Sequence, residues 1–295
     1  MKSYFFVLLA VALMVSCKQK QKEKLSLNET IKLEQPVVNP DTLRSDFMKW
    51  WTYYNNDLSF TADFIAVDEH GTIIKKSKFL KTLITGNFIP IQLQSESKVP
   101  HYKLFVNTGK NATAISNFIQ EVAATTYKFF EAEGTPFPNF DVSDLEGNKF
   151  TNENLKGKIV VLKCWFIKCA PCVAEFPEVN KLADDLRNNK NVVFISLATD
   201  KTAALKSFLE KKPLQYHTIA EQDHLITNEL HIYGFPTHII VTTDGSIYKE
   251  TSKFSELKTA LYTLLSEKSA SNKVRDDKEH HKLPPPPPPP LKKAS

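Results

Sequence analysis

Residues 159–175 have the sequence IVVLKCWFIKCAPCVAE, in which two cysteines lie two residues apart just after an apolar run. An almost wholly apolar run at 158–166 is typical of a central strand that is covered on both faces. Helical periodicity follows at 174–189, so Cys169 is expected at the start of a helix. Free N–H groups and the positive end of the helix dipole favour a thiolate there. Pro171 is compatible with a first helical turn because its nitrogen has no hydrogen to leave unpaired.

The spacing of Cys169 and Cys172 next to a strand and a helix predicts a redox dithiol. Cys169 is the predicted nucleophile, and Cys172, one turn deeper, is the predicted resolving thiol. A half-site for zinc is an alternative, but zinc needs four ligands, and the only other cysteines are Cys17 and Cys164. A purely structural disulfide is a second alternative, although so short a loop constrains the unfolded chain little.

The rest of the C-terminal half alternates between strand and helix patterns. A hairpin is predicted near 140–151, further strands at 192–197, 216–220, 238–242 and 246–251, and helices at 202–211, 224–231 and 254–265. Strands that alternate with helices predict an α/β sheet with right-handed connections.

Residues 134–268, which include this dithiol, resemble the TlpA/ResA-like branch of the thioredoxin superfamily. Trp165 lies four residues before Cys169, and Glu175 lies three residues after Cys172, as in that branch. Gly-Phe-Pro-Thr at 234–237 resembles the cis-proline loop of the family. The resemblance implies a thioredoxin-like α/β fold, in which helices flank a central mixed sheet with an N-terminal β-hairpin extension. It also implies no metal and no cofactor.

The resemblance further implies a set of site residues. The catalytic set is Cys169, Cys172, Glu175 and Pro236, and the substrate-binding set is Trp165, Phe235 and Thr237. Pro177 is expected to kink the helix that follows the dithiol, and Pro236 is expected to be cis. A partly buried Glu175 with a raised pKa is expected to move a proton to or from Cys172, which the resemblance favours. The alternative is a solvated Glu in the first helical turn that is stabilised by the helix dipole.

Three nearby residues need separate interpretation. Lys163 stands where thioredoxins proper have a buried Asp, and a lysine inside a strand needs a partner; we predict that this partner is Glu175. Lys168 either favours the Cys169 thiolate or is an ordinary surface lysine. Cys164 is expected to be an inert buried thiol that packs as a small hydrophobe.

The N-terminus predicts export. Residues 1–16 contain an apolar run at 4–14 that is too short for a membrane span of about 20 residues, and they predict a signal peptide. Residues 14–17, MVSC, are similar to a bacterial lipobox, so Cys17 is predicted to be lipidated; ordinary cleavage that leaves a free thiol is the alternative. Residues 17–40 are predicted to be a flexible tether. The protein is therefore expected in the cell envelope, on the periplasmic side of a bacterial membrane.

Two further regions carry no chemical motif. Residues 41–133 contain no cysteine, and their patterns predict a small α+β domain that precedes the thioredoxin-like one. Residues 269–295 are polar and include seven consecutive prolines, which predicts a disordered tail. The net charge of +5 is modest, and no basic–aromatic surface indicates nucleic-acid binding.

Together these features predict a membrane-anchored thiol–disulfide oxidoreductase that reduces disulfides of envelope proteins, apocytochrome c among the options. The resemblance implies a membrane electron donor, and the direction of exchange stays open. A peroxiredoxin is one alternative, although Phe166 stands where an activating Thr or Ser is needed. A binding module that uses the fold as a scaffold is the other.

Overall fold

The computed structural model describes residues 34–280. Its N-terminal part consists of four helices and four strands: α1 Pro40–Arg44, α2 Phe47–Asp57, β1 Ile65–Val67, β2 Ile73–Ile74, α3 Lys76–Ile84, β3 Phe88–Gln92, β4 His101–Val106 and α4 Ala112–Ala132. The strands form one sheet in the order β2-β1-β4-β3, in which only the β1–β4 pair is parallel. Trp50, Phe79 and Tyr102 are buried between this sheet and its helices, so the aromatic residues form a core.

The C-terminal part has a five-stranded sheet with flanking helices. Its elements are β5 Asp141–Ser143, β6 Lys149–Thr151, β7 Ile159–Trp165, α5 Ala170–Ala174, α6 Phe176–Asp185, β8 Val192–Ala198, α7 Thr202–Leu209, β9 His217–Ile219, a π-helical turn Leu225–Glu229, β10 Thr237–Val241, β11 Ile247–Thr251 and α8 Phe254–His280. The strand order is β11-β10-β7-β8-β9, with β7, β8 and β9 parallel and β10 and β11 antiparallel to their neighbours. Strands β5 and β6 form a separate hairpin. This is the predicted thioredoxin-like fold with an N-terminal hairpin, preceded by an α+β region.

Strand β7 lies at the centre of this sheet, and all its residues are buried. Val161 and Trp165 pack on one face with the helices that carry the dithiol, whereas Leu162 and Cys164 pack on the other face with the π-helical turn. A strand covered on both faces explains why its sequence does not alternate between apolar and polar residues.

The helix after the dithiol is broken where the sequence predicts a kink. Helix α5 ends at Ala174, Glu175 caps the next helix, and Pro177 lies in the first turn of α6. A proline inside one continuous helix would remove a hydrogen bond and clash with the preceding turn, so the chain restarts instead.

Three expectations about elements need correction. Helix α3 was not predicted from its short sequence, KSKFLKTLI. The expected helix at 224–231 is a π-helical turn. Helix α8 continues to His280, so the chain is helical well beyond 265 and beyond the predicted start of a disordered tail at 269.

The predicted signal peptide, Cys17 and the proline run lie outside the described residues. Within 34–280, no helix combines the length and apolarity needed to cross a bilayer.

Candidate active site

The dithiol lies where β7 gives way to α5. Cys169 is the N-cap of α5, and its sulfur accepts a hydrogen bond from the Cys172 N–H at 3.3 Å. The two sulfurs are bonded in a disulfide, with their Cα atoms 5.3 Å apart. Cys169 keeps 5% of its surface exposed and Cys172 keeps none. Cys169 is therefore the sulfur that an incoming group reaches first, and in the reduced protein the Cys172 N–H can stabilise a thiolate on it.

The turn between β7 and the dithiol is held by backbone and side-chain bonds. The Ile167 N–H donates to the Asp200 carboxylate at 2.7 Å, and the Cys169 N–H donates to the Phe166 carbonyl at 3.1 Å. Asp200 follows β8, the parallel neighbour of β7, so the two strands end beside each other. Asp200 was not predicted; its one signal in the sequence is an acidic residue just after a buried strand.

The proline loop lies next to the dithiol turn. The Phe235–Pro236 peptide is cis, as expected. The Phe235 ring packs at a right angle on the Phe166 ring, with centroids 5.3 Å apart, and both rings are partly exposed. These aromatic edges form an apolar rim beside Cys169.

Two predicted substrate contacts are placed differently from the expectation. Trp165 is fully buried and packs edge-on against Phe176, with ring centroids 5.0 Å apart. Its ring therefore belongs to the core next to the dithiol helix and has no exposed surface for substrate. Thr237 is 1% exposed, and its hydroxyl donates to the Gly234 carbonyl at 2.8 Å, which fixes the proline loop. Phe235 alone of these three predicted residues offers a partly exposed side chain.

Lys163, Glu175 and His238 form one largely buried cluster next to the dithiol helix. The Lys163 Nζ lies 2.6 Å from Glu175 Oε2, which is the predicted pair. His238 is directly opposite Lys163 in the β7–β10 register, and its Nε2 lies 3.1 Å from the same oxygen. Lys163 and His238 have no exposed side-chain surface, whereas Glu175 keeps 21% exposed. His238 was not predicted as a site residue from the sequence.

The charges of this cluster follow from burial and pairing. Burial opposes ionisation of Glu175, but hydrogen bonds and charges from His238 and Lys163 outweigh it, so its pKa lies below the ordinary value of 4.5. The expectation of a raised pKa is therefore wrong. Burial lowers the pKa of His238 and of Lys163 in spite of the carboxylate. Whether His238 is neutral or charged, its Nε2 must carry a proton to bond the ionised Glu175, which makes that nitrogen the donor.

Two further residues were interpreted from the sequence. Cys164 is fully buried, and burial raises the pKa of its thiol, so it is the inert thiol that was expected. Lys168 is exposed beside Cys169.

Comparison with known proteins gives consistent matches over this region. Residues 134–250 match the model of the AhpC/TSA family. The thioredoxin domain of a thiol-disulfide oxidoreductase from Bacteroides vulgatus is 25% identical, and the alignment covers 45% of this chain and 97% of that one with a TM-score of 0.41. The thiol:disulfide interchange protein DsbE of Pseudomonas fluorescens is 32% identical over 117 residues, which are 39% of this chain and 63% of that protein.

The thiol-disulfide oxidoreductase ResA of Bacillus thuringiensis is 32% identical over 136 residues, which are 44% of this chain and 78% of that protein. This chain belongs to the ResA family. As a ResA-type protein, it is a thiol-disulfide oxidoreductase. Residues 134–250, which match the AhpC/TSA family model, include the Cys169–Cys172 disulfide.

Proposed function

We propose that Cys169 and Cys172 carry the oxidoreductase activity and that the protein mainly reduces disulfides in exported proteins. The observation that supports this most directly is the disulfide at the start of α5, with its more exposed sulfur beside the proline loop. A dithiol that closes into a disulfide without other ligands is suited to exchange.

The proposed reaction has two exchange steps. The Cys169 thiolate attacks one sulfur of the substrate disulfide, that bond breaks, and the other substrate sulfur leaves as a thiolate. Cys172 then loses its proton and attacks the Cys169 sulfur, which breaks the bond between Cys169 and the substrate. Two electrons pass to the substrate, which takes up protons, and the Cys169–Cys172 disulfide is left for an external dithiol donor to reduce.

Glu175 is proposed as the acceptor of the Cys172 proton. It lies about one helical turn beyond Cys172, and its hydrogen bonds with His238 and Lys163 keep it ionised. An ionised carboxylate can take the proton, but its lowered pKa makes it a weaker base than the raised pKa expected from the sequence. In this proposal, Lys163 and His238 act through Glu175 as positioning residues, and neither contacts the substrate.

The proline loop is proposed to bind the substrate backbone. Phe235 precedes the cis-proline, and an extended polypeptide can pair with its backbone groups while it contacts the Phe235 and Phe166 rings.

The cellular setting is part of the proposal. A lipidated Cys17 would hold the domain on the periplasmic side of a bacterial membrane, where disulfides persist. Proteins of the envelope that carry disulfides, apocytochrome c included, are the proposed substrates, and a membrane protein is the proposed electron donor.

Trapping tests the proposal. In the Cys172→Ala variant, the mixed disulfide on Cys169 cannot be resolved, so we expect disulfide-linked partners on a non-reducing gel and loss of insulin reduction by at least about 100-fold. The matched Cys169→Ala variant should lose the activity and trap nothing. The proposal fails if Cys172→Ala traps no partner and reduces insulin at the wild-type rate.

A further inference from the structure

A groove of about 650 Å³ lies beside the proline loop, between the two halves of the protein. One wall is the C-terminal part of helix α4, which contributes Thr125, Lys128 and Ala132. The opposite wall is the loop at 229–234 that leads into the proline loop, and Gly234 and Thr237 connect the groove to Pro236. The groove therefore reaches the residues on either side of Phe235 and Pro236, while Cys169 itself does not line it.

Glu250 lines this groove and has no use in the reaction described above. It is 4% exposed, and no hydrogen bond from residues 34–280 reaches its carboxyl group. Burial, with the charge of Glu133 as a smaller cause, raises its pKa from 4.5 to about 8. A largely buried acid without a hydrogen-bond partner in the protein is costly, and such groups are found preferentially at functional sites.

The rim of the groove has the features of a recognition surface. The Tyr233 ring is 68% exposed, and the Lys128 ammonium lies 5.6 Å from its centroid. Exposed aromatic rings next to a cleft are common anchors for a bound polypeptide. His231 holds a left-handed backbone conformation, with φ of 54°, in the loop that forms this wall. Such strain in a non-glycine residue occurs preferentially at functional sites.

The charges of the groove favour a cationic occupant. Glu131 and Glu229 contribute two acidic side chains at the rim, against one lysine and one histidine. Lys128 already faces the Tyr233 ring. Glu250 itself is mostly protonated at neutral pH because burial raises its pKa to about 8. A lysine or arginine side chain entering the groove would give Glu250 the partner that it lacks and would favour release of its proton to solvent, so that an ion pair forms.

We propose that this groove binds the polypeptide segment next to the substrate disulfide and that Glu250 receives a basic side chain of that segment. The proposal rests on the proposed function, since the same polypeptide must place its disulfide on Cys169. It also gives the N-terminal region a role, because helix α4 forms one wall and thereby helps to select the substrate.

A panel of disulfide-bonded peptides tests the choice of ligand. In the panel, one lysine is moved through each position on either side of the cysteine, and a matched panel carries norleucine instead. We expect one lysine position to lower KM by about tenfold or more relative to norleucine, as buried charge pairs at interfaces do. The isosteric Glu250→Gln variant should lose this preference while its kcat stays unchanged. The inference is overturned if no position shows a preference, or if Glu250→Gln retains it.

Blocking the groove gives an independent test. Thr125 is exposed on the α4 wall, so Thr125→Trp should fill the groove without disturbing the core and raise KM for the preferred peptide by about tenfold. Thr263→Trp, an exposed threonine on α8, is the matched control and should leave KM unchanged. Equal KM values in the two variants would contradict the groove assignment.

A small aromatic disulfide separates the two proposals. It fits Cys169 but does not reach the groove, so every groove variant should reduce it at the wild-type rate. If wild-type protein reduces neither this compound nor any peptide, the proposed function is wrong. If wild-type protein and both groove variants reduce all substrates equally, only the groove assignment is wrong.

Discussion

At the scale of single residues, the state of Glu175 depends on Lys163. In Lys163→Met, burial still opposes ionisation while one of the two compensating groups is gone, so the pKa of Glu175 should rise. Titration of the Glu175 carboxyl carbon by NMR measures this directly. Lys168→Met removes an exposed cation near the same helix and should leave the titration in place. An unchanged Glu175 midpoint in Lys163→Met would refute the electrostatic account.

The direction of this pKa shift also sets a pH dependence of stability. The folded-state pKa of Glu175 lies below its ordinary value of 4.5, so its pairing stabilises the fold above that pH. The contribution is lost as the pH falls through the folded-state pKa, because the carboxylate then accepts a proton.

The sequence identified Lys163 and Glu175 as partners because both positions are fixed relative to Cys172 by a strand and a helix that adjoin it. The same reasoning could not identify His238 and Glu250. The position of His238 depends on the register of β10 against β7, a strand far earlier in the chain, and that of Glu250 depends on the register of β11 against β10. A shift of one residue in either pairing would turn the side chain to the other face of the sheet.

At the scale of elements, the two faces of β7 separate the reactive thiols from the inert one. Cys164 faces the core opposite the dithiol helix, where it is fully buried. In a reduced Cys17→Ser variant, we expect native alkylation to modify Cys169 rapidly and Cys164 not at all. Cys164 should react only after unfolding, because burial suppresses its thiolate. Peptide mass spectrometry reads each site, and native modification of Cys164 at a rate near that of Cys169 would contradict this assignment.

Most elements of the C-terminal half follow from local pattern, because buried strands and amphipathic helices leave clear periodicity. The exceptions have physical causes. Helix α8 continues to His280 through a polar segment, where apolar periodicity gives no signal although the residues are compatible with a helix. The parallel pairing of β1 with β4 joins segments that are separated by a helix and two strands, and short strands of this kind carry no register information.

At the scale of the whole molecule, the N-terminal region is attached to the thioredoxin-like sheet along its β11 edge. The Gly134 N–H donates to the Ile247 carbonyl, and the Ile247 N–H donates to the Thr135 carbonyl, so the chain between the two regions is itself paired to β11. Thr61 adds a second connection, since its hydroxyl donates to Glu256 of α8. The hydrophobic core of the N-terminal region and that of the thioredoxin-like region lie on opposite sides of residue 133 in the sequence. These hydrogen bonds join the two regions, and composition alone could not reveal the bonds.

Lys249 should carry much of this attachment. Its ammonium donates to the Thr61 carbonyl at 2.8 Å and to Glu133 at 2.6 Å, and its side chain is only 13% exposed. Lys249→Met removes both bonds, so we expect the free energy of unfolding in urea to fall by about 1.5–3 kcal/mol, as for hydrogen bonds to charged groups. Hydrogen exchange should show faster opening of β4 than in the wild type. Lys206→Met, at an exposed position on α7, should change stability by less than about 0.5 kcal/mol. If the two variants unfold at the same urea concentration, the two cores are held together by something other than Lys249.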